Sequence, residues 1–517
     1  MSGKTVTFSG GGAQTITASG ALGGTEVINK SSGILTVATG TSIYLGDSPT
    51  STISLAISAA GGLTNNGTIT VNSGVWNVVA TYGNTFFTNN GTITHNGSGW
   101  NFTGNTGNGF INSVGAVVTY AGTTLTTVAS FTNSGTFTAS SLTSVTIGGN
   151  FTQSGTYTTN ANVTTTFNGG IASTITVNGA LSGIVIINKD STGSGYNITT
   201  TIATSTIINL GNNANTTLSS YSNGKYGHLT NNGTIIVGTG TWTVTGGSTI
   251  YGSANFVNNG TITNSSSAWV INYMHLTNNT GATITYQGTS LTLNGSFTQN
   301  GTFDLTGKTI TFGPTVNSNT LVTCSVNGGV LGGTVVISRT APMPVNPIFT
   351  IATGTTINLG NSPTSDIGTG YGYAWTGSII NNGTILVGTG TWTIIGHSDA
   401  TWGGTRNMSS LINNGIITIS GSVLDINKLD FTNNGTITAS SVSTIGVEGN
   451  FTQSGTFDLT NKIITFDGAY DATATIPTFS GSLILAKSAA NNLTLANDIT
   501  VINATTTSGI LANPASP

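Results

Sequence analysis

The chain has 517 residues, 36% hydrophobic and only 4% charged, with 10 Lys and Arg against 13 Asp and Glu and a net charge of −3. So few cations exclude electrostatic binding to nucleic acid or to an anionic membrane surface. The absence of any run of 18 apolar residues excludes a membrane-spanning helix, and the single cysteine, Cys324, excludes an intrachain disulfide.

Glycine contributes 74 residues and proline only 9. Abundant Gly, Thr, Asn and Ser with little charge also describes disordered chains. Here the polar residues are phased with Ile, Val, Leu and Phe, which supplies a packed core and argues against disorder.

Long units come first in chain order. KTVTF ends at Phe8 and returns as VTTTF at Phe167, KTITF at Phe312 and KIITF at Phe466. GALGGTEVINK (20–30) matches GALSGIVIINK (179–189) and GGVLGGTVVIS (328–338). SIYLGDSPTS (42–51) matches TINLGNSPTS (356–365). The tryptophan of GVW (74–76) returns in GTGTWT at 238–243 and 388–393. These stations divide the chain into super-repeats at 1–162, 163–307 and 308–461, with a partial fourth at 462–517.

A shorter repeat runs inside them. LTNNGTIT starts at Leu63, FTNNGTIT at Phe87, FINSVGAVVT at Phe110, FTNSGTFT at Phe131 and FTQSGTYT at Phe151. A period of about 20–24 residues without helical patterning marks a stacked repeat. Within FTNNGTIT, Phe87 and Ile93 point inward and the threonines outward, which is period-2 strand logic. One such unit cannot bury its apolar face alone, so copies stack. The predicted fold is all-β: a single continuous parallel β-solenoid of coils of about 20–24 residues with loop insertions. Parallel crossovers favour a right-handed winding.

The predicted core ladder comprises Leu63, Phe87, Phe110, Phe131 and Phe151, joined by Ile69, Ile93, Phe137 and Tyr157. The predicted corner glycines are Gly67, Gly91, Gly115, Gly135, Gly155, Gly233, Gly260, Gly383, Gly415, Gly435 and Gly455. At these corners Asn and Gly are expected to take positive φ. The preceding asparagines (65, 89, 231, 258, 381, 413 and 433) are expected to bond amide to amide between coils.

Chemistry-bearing residues are sparse. Asp304 with Lys308, and Asp458 with Lys462, hold the same station in two units and read as surface pairs at a coil corner. Asp425, Asp430 and Glu448 fall on separate coils, and a hydrolytic carboxylate pair must face across roughly 5–10 Å. His95, His228, His275 and His397 lack ligand spacing and read as loop or face residues. Cys324 reads as a small buried residue. No catalytic, metal or cofactor site is expected, and the chain reads as non-enzymatic. The aromatic loops at 221–228, 369–375 and 396–405 are the candidates for contact with surface glycans.

Thr68 with Thr70, Thr92 with Thr94, Thr136 with Thr138 and Thr156 with Thr158 form outward columns, broken at Ala116–Val118. Such columns resemble the ice-binding face of β-solenoid antifreeze proteins. Thr is also simply the best uncharged residue for an exposed strand.

The NNGTI-rich units and NNLTLANDITVIN (491–503) resemble the repeats of bacterial extracellular β-solenoid surface proteins. These are the large adhesins, the filamentous-haemagglutinin class and Bacteroidetes-type surface repeat proteins. The resemblance implies a secreted, non-enzymatic stalk, adhesin or fibre, with any secretion leader absent from this numbering. Strand pattern begins at Lys4 and stops inside the fourth unit, with few charged gatekeepers. The expected partner is the protein itself, as a head-to-tail homopolymer joined through the N-terminal strand and residues 462–517.

Overall fold

The computed structural model describes residues 3–53, 61–80, 86–104, 109–190, 197–219, 227–246, 254–313, 321–327, 329–341, 347–369, 376–396, 398–399, 407–477, 479–488, 491–497, 499 and 501–512. Among them there are strands and no helix.

Each turn of chain lays down three short strands. Gly62–Asn65 lies on a first face, Thr68–Val71 on a second and Val75–Ala80 on a third. The following turn repeats the order with Phe86–Asn89, Thr92–His95 and Gly99–Gly104. Successive turns pair in parallel, residue for residue. Leu63 stands opposite Phe87, Ile69 opposite Ile93 and Trp76 opposite Trp100. The chain is therefore a β-solenoid repeat protein. One described pairing departs from this, the antiparallel contact of Ser398–Asp399 with Asn407–Met408.

Packing divides the chain into two compact units. One comprises Met1–Ser248 with Val257–Ser266, and the other Thr249–Phe256 with Ser267–Pro517. Each is a stack of such turns.

Alternation sets what enters the core. In Thr68–Val71 the burial runs half-buried, buried, half-buried, buried, because successive side chains of a strand point to opposite faces. The inward positions become columns. Leu63, Phe87, Phe110, Phe131 and Phe151 align on the first face. Ile69, Ile93, Val118, Phe137 and Tyr157 align on the second. Trp100 lies flat on Trp76, ring centroids 5.1 Å apart. Each large buried side chain of this kind contributes roughly 1.5–3 kcal/mol.

Tryptophan introduces a polar atom that needs a partner. Trp76 Nε1 donates to Ser51 Oγ at 3.0 Å, Trp242 Nε1 to Thr216 Oγ1 at 3.2 Å and Trp392 Nε1 to Ser365 Oγ at 3.2 Å. In each case the acceptor belongs to the turn before. The GVW and GTGTWT stations thus recur together with an inward hydroxyl one turn earlier.

The corner glycines are needed for a different reason from the one the Asn-Gly pattern suggests. Of the eleven, only Gly115 lies in the left-handed region, at φ 80°. The other ten are excluded from bearing a side chain by the neighbouring turn. A Cβ on Gly91 would overlap the carbonyl oxygen of Gly67, one on Gly155 that of Gly135, and one on Gly455 that of Gly435. Glycine stacks on glycine because two backbones pass too close for anything larger.

Two alanine substitutions separate these explanations. Gly115→Ala meets open space and carries only the left-handed backbone penalty, about 1–2 kcal/mol. Gly91→Ala must push two turns apart and is expected to cost more. Denaturant midpoints of the two variants check the order.

Candidate functional site

The inner corner of the solenoid carries a ladder of buried amides. Asn65 Nδ2 donates to Asn89 Oδ1 at 2.7 Å, Asn89 to Asn112 at 2.8 Å, Asn112 to Asn133 at 2.7 Å and Asn133 to Gln153 Oε1 at 2.8 Å. A shorter run joins Asn231 to Asn258 at 2.7 Å. In the second unit Asn381, Asn413, Asn433 and Gln453 follow at 2.7, 2.6 and 2.9 Å. Side-chain amides can repeat in this way because each offers both a donor and an acceptor along the stack.

A second buried station is cationic. Lys30, Lys189, Arg339 and Lys487 are all fully buried. Lys189 Nζ donates to Asn168 O at 2.6 Å and Gly148 O at 2.8 Å. Arg339 Nη1 reaches Gly313 O at 3.0 Å and Asn294 O at 3.5 Å. Lys487 Nζ reaches Asp467 O at 2.6 Å and Glu448 O at 3.1 Å. Lys30 Nζ binds Gly12 O at 2.6 Å and Gln14 Oε1 at 3.1 Å. For Lys189, Arg339 and Lys487 the acceptors come from the two preceding turns. Burial lowers Lys189 to about 8 and Arg339 to about 10, so both remain charged at neutral pH. Carbonyl dipoles of the preceding turns meet the charge. Sequence reasoning missed this station. Its signal was present in INK at 28–30 and 187–189 and in ISR at 337–339, which runs one residue past the matched segment 328–338.

The two Asp–Lys stations are not pairs of that kind. Asp304 Oδ1 accepts from Thr306 N at 2.9 Å, and Asp458 Oδ1 from Thr460 N at 2.9 Å. These local bonds hold both carboxyls below the usual range. Lys308 Nζ turns to Gly288 O at 2.9 Å, and Lys462 Nζ to Val442 O at 2.8 Å and Ala439 O at 2.9 Å. The lysines spend these hydrogen bonds on backbone carbonyls of the stack, and their charges add the smallest of the effects that lower the neighbouring aspartates.

Asp430 and Glu448 lie on different faces. Asp430 Oδ1 accepts from Asn450 N at 2.8 Å and Glu448 Oε2 from Lys428 N at 3.0 Å. Glu448 instead borders a groove with Lys428, Tyr470, Ser488 and Ser508, floored by Gly468 and Ala486. Asp467 stands beside it. Its carboxyl is raised by burial and then by the charges of Glu448 and Asp425. Among the described residues no three His, Cys, Asp or Glu side chains come together to hold a metal.

His95 is a correction to its sequence reading. It is fully buried, within 5.9 Å of the Trp76 and Trp100 rings and 4.9 Å of Tyr120. Nδ1 accepts from Gly97 N at 3.0 Å, which makes Nε2 the protonated nitrogen. His275 is half-buried and accepts from Ser296 N at 2.7 Å. His228 is also half-buried. His397 lies outside the described residues. Cys324 is buried between Phe297 and Ile351 in register, and burial pushes its thiol up to about 12.

The outward threonines form two columns on the second face. Thr68, Thr92, Val117, Thr136 and Thr156 align, as do Thr70, Thr94, Thr119, Thr138 and Thr158. The expected break is therefore one-sided: Val117 interrupts the first column and Thr119 continues the second. Thr36, Thr64 and Thr88 also align on the first face, and Thr126, Thr146 and Thr166 on the third. Hydroxyl rows follow from strand chemistry on every face and single out none. Most residues of the loops at 221–228, 369–375 and 396–405 lie outside the described residues.

His95 gives a pH test. Its ordinary value is 6.5, and burial holds it at about 4 in the fold. As pH falls through that window the unfolded chain takes up a proton that the folded chain does not. Stability present above 6.5 is lost on the way to about 4, by about 3 kcal/mol from this residue. Denaturant midpoints at neutral and acid pH should fall less for His95→Phe than for the unsubstituted protein.

No protein family and no curated protein matches the chain.

Proposed function

We propose that the protein is a non-enzymatic structural element of an extracellular surface fibre, a β-solenoid stalk that joins copies of itself end to end. The observation that supports this most is the residue-for-residue pairing of successive turns within each unit, shifted at Leu485–Ala486 where the last strands pair. Backbone bonds, amide ladders and buried cations all tie one turn to the next along the stack. The material of the fold is spent on axial cohesion. The low charge and the Asn-, Thr- and Gly-rich repeats are those of the bacterial surface proteins that the sequence resembles. The joint in this reading is strand addition at Thr5–Gly10 and Asn503–Ser508, the latter exposed at all six residues.

Light scattering and negative-stain microscopy over a concentration series test the reading. Filaments that lengthen with concentration are expected. Thr505→Pro, which removes a backbone donor from the edge strand, should stop growth while the circular dichroism stays that of the folded protein. Monomers at high concentration would overturn it.

A second reading, adhesion to glycans, is favoured by the groove at Tyr470. An aromatic ring beside Glu448, Lys428, Ser488 and Ser508 offers both a stacking surface and hydroxyl partners. A glycan array should then show binding that Tyr470→Ala abolishes, and an array without signal would dismiss this reading.

A further inference from the structure

Eight Asn-Gly pairs hold the same corner station in their turns: Asn66-Gly67, Asn90-Gly91, Asn232-Gly233, Asn259-Gly260, Asn300-Gly301, Asn382-Gly383, Asn414-Gly415 and Asn434-Gly435. This dipeptide is chemically fragile, because glycine puts no side chain in the way of its own nitrogen. The glycine nitrogen loses its proton and attacks Cγ of the preceding asparagine. A C–N bond forms, the Cγ–Nδ2 bond breaks and ammonia leaves. Water then opens the resulting succinimide to aspartate or isoaspartate. The only co-reactant is water.

Three features of the corner oppose this step. First, the attacking nitrogen is engaged. Gly67 N donates to Asn65 Oδ1 at 3.1 Å, Gly233 N to Asn231 Oδ1 at 3.2 Å and Gly383 N to Asn381 Oδ1 at 3.1 Å. Gly415 N and Gly435 N donate instead to Asn381 O at 3.0 Å and Asn413 O at 2.9 Å. Second, the amide under attack is engaged. Asn90 Nδ2 donates to Asn66 Oδ1 at 2.9 Å, Asn259 to Asn232 at 2.8 Å, and Asn414 to Asn382 and Asn434 to Asn414 at 3.0 Å each. This is an outer ladder, one residue beyond the buried one. Third, the glycine has no room to swing, because its Cα already faces the carbonyl of the turn before.

We infer that the buried Asn ladder is a chemical guard, which holds the outer Asn-Gly corners in an unreactive geometry so that they deamidate only from an opened turn. Such a conversion would not reverse. An aspartate at 414 has no amide hydrogen to give Asn382 Oδ1. A second conversion at 434 would place two carboxylates one turn apart, at about 4.8 Å, where like charges destabilise a sheet. The corner is thus a latent modification site that records where the stack has opened.

The chain carries its own contrast. Asn178-Gly179 lies at a corner with open space around Gly179, which sits at φ 100°. Gly179 N is also engaged, by Ser205 O at 3.2 Å, so what Asn178 lacks is the amide ladder and the close backbone of the neighbouring turn. The test is peptide mapping by mass spectrometry after incubation in warm, mildly alkaline buffer, on the native protein and on the urea-unfolded protein. Asn66, Asn232 and Asn382 should convert at least about tenfold more slowly in the native protein than in the unfolded one. They should also lag Asn178 in the native protein. Asn231→Ala removes the acceptor for Gly233 N and should speed conversion at Asn232 while Asn66 stays intact. Equal native and unfolded rates at the guarded corners would overturn the inference. So would equal protection of Asn178, which would assign the effect to the fold at large. Acceleration at Asn66 and Asn232 together in the variant would deny the local role of the ladder.

Discussion

The constraint on which the fold depends is axial register. Each side chain has a counterpart one turn above and one below, at the spacing of neighbouring strands, about 4.8 Å. Whatever a position holds, it must tolerate a near copy of itself at that distance. Phe on Phe and Ile on Ile satisfy this by burial. Asn on Asn satisfies it by donating to one neighbour and accepting from the other, as Asn89 does between Asn65 and Asn112. Gly on Gly satisfies it where two backbones meet. Asp on Asp or Lys on Lys repels, and where Asp467 follows Glu448 one turn on, its carboxyl is raised by burial and then by that charge; threonine fills most of the outward positions.

The same constraint explains how buried cations are tolerated. Within each unit the buried cations, Lys30 and Lys189 in one and Arg339 and Lys487 in the other, are separated by many turns, so neither of a pair stacks on its like charge. Each meets carbonyl oxygens, which the parallel stack presents at close intervals. A charge buried without such partners would cost several kcal/mol. The station therefore ties turns together with main-chain acceptors and makes no demand on the sequence beyond one long basic side chain.

Much of this was legible in the residues. The FTNNGTIT repeat exposed the strand–corner–strand unit, the inward Phe and Ile positions and the amide ladder, because each is a local pattern copied at a fixed period. The reason for the corner glycines was not legible. Asn-Gly suggests positive φ when one chain segment is considered alone, and Gly91 is instead required by the carbonyl of Gly67 in another turn. The buried cations were hidden for a similar reason. A lysine ending GALGGTEVINK looks like surface until the carbonyls below it are in place. His95 was read as a face residue although Trp76, Trp100 and Tyr120 enclose it, and those rings come from three turns. Sequence displays contacts along the strand, whereas these depend on contacts along the axis.

Register itself can be measured. Thr88 and Ile111 are outward neighbours in adjacent turns of the first face, while Thr88 and Thr132 stand two turns apart. A disulfide requires Cα atoms within about 4.4–6.8 Å. Mild oxidation of the folded Thr88→Cys, Ile111→Cys protein should close an intrachain disulfide, and the Thr88→Cys, Thr132→Cys protein should remain reduced. Closure of the second pair but not the first would contradict the register on which the account rests.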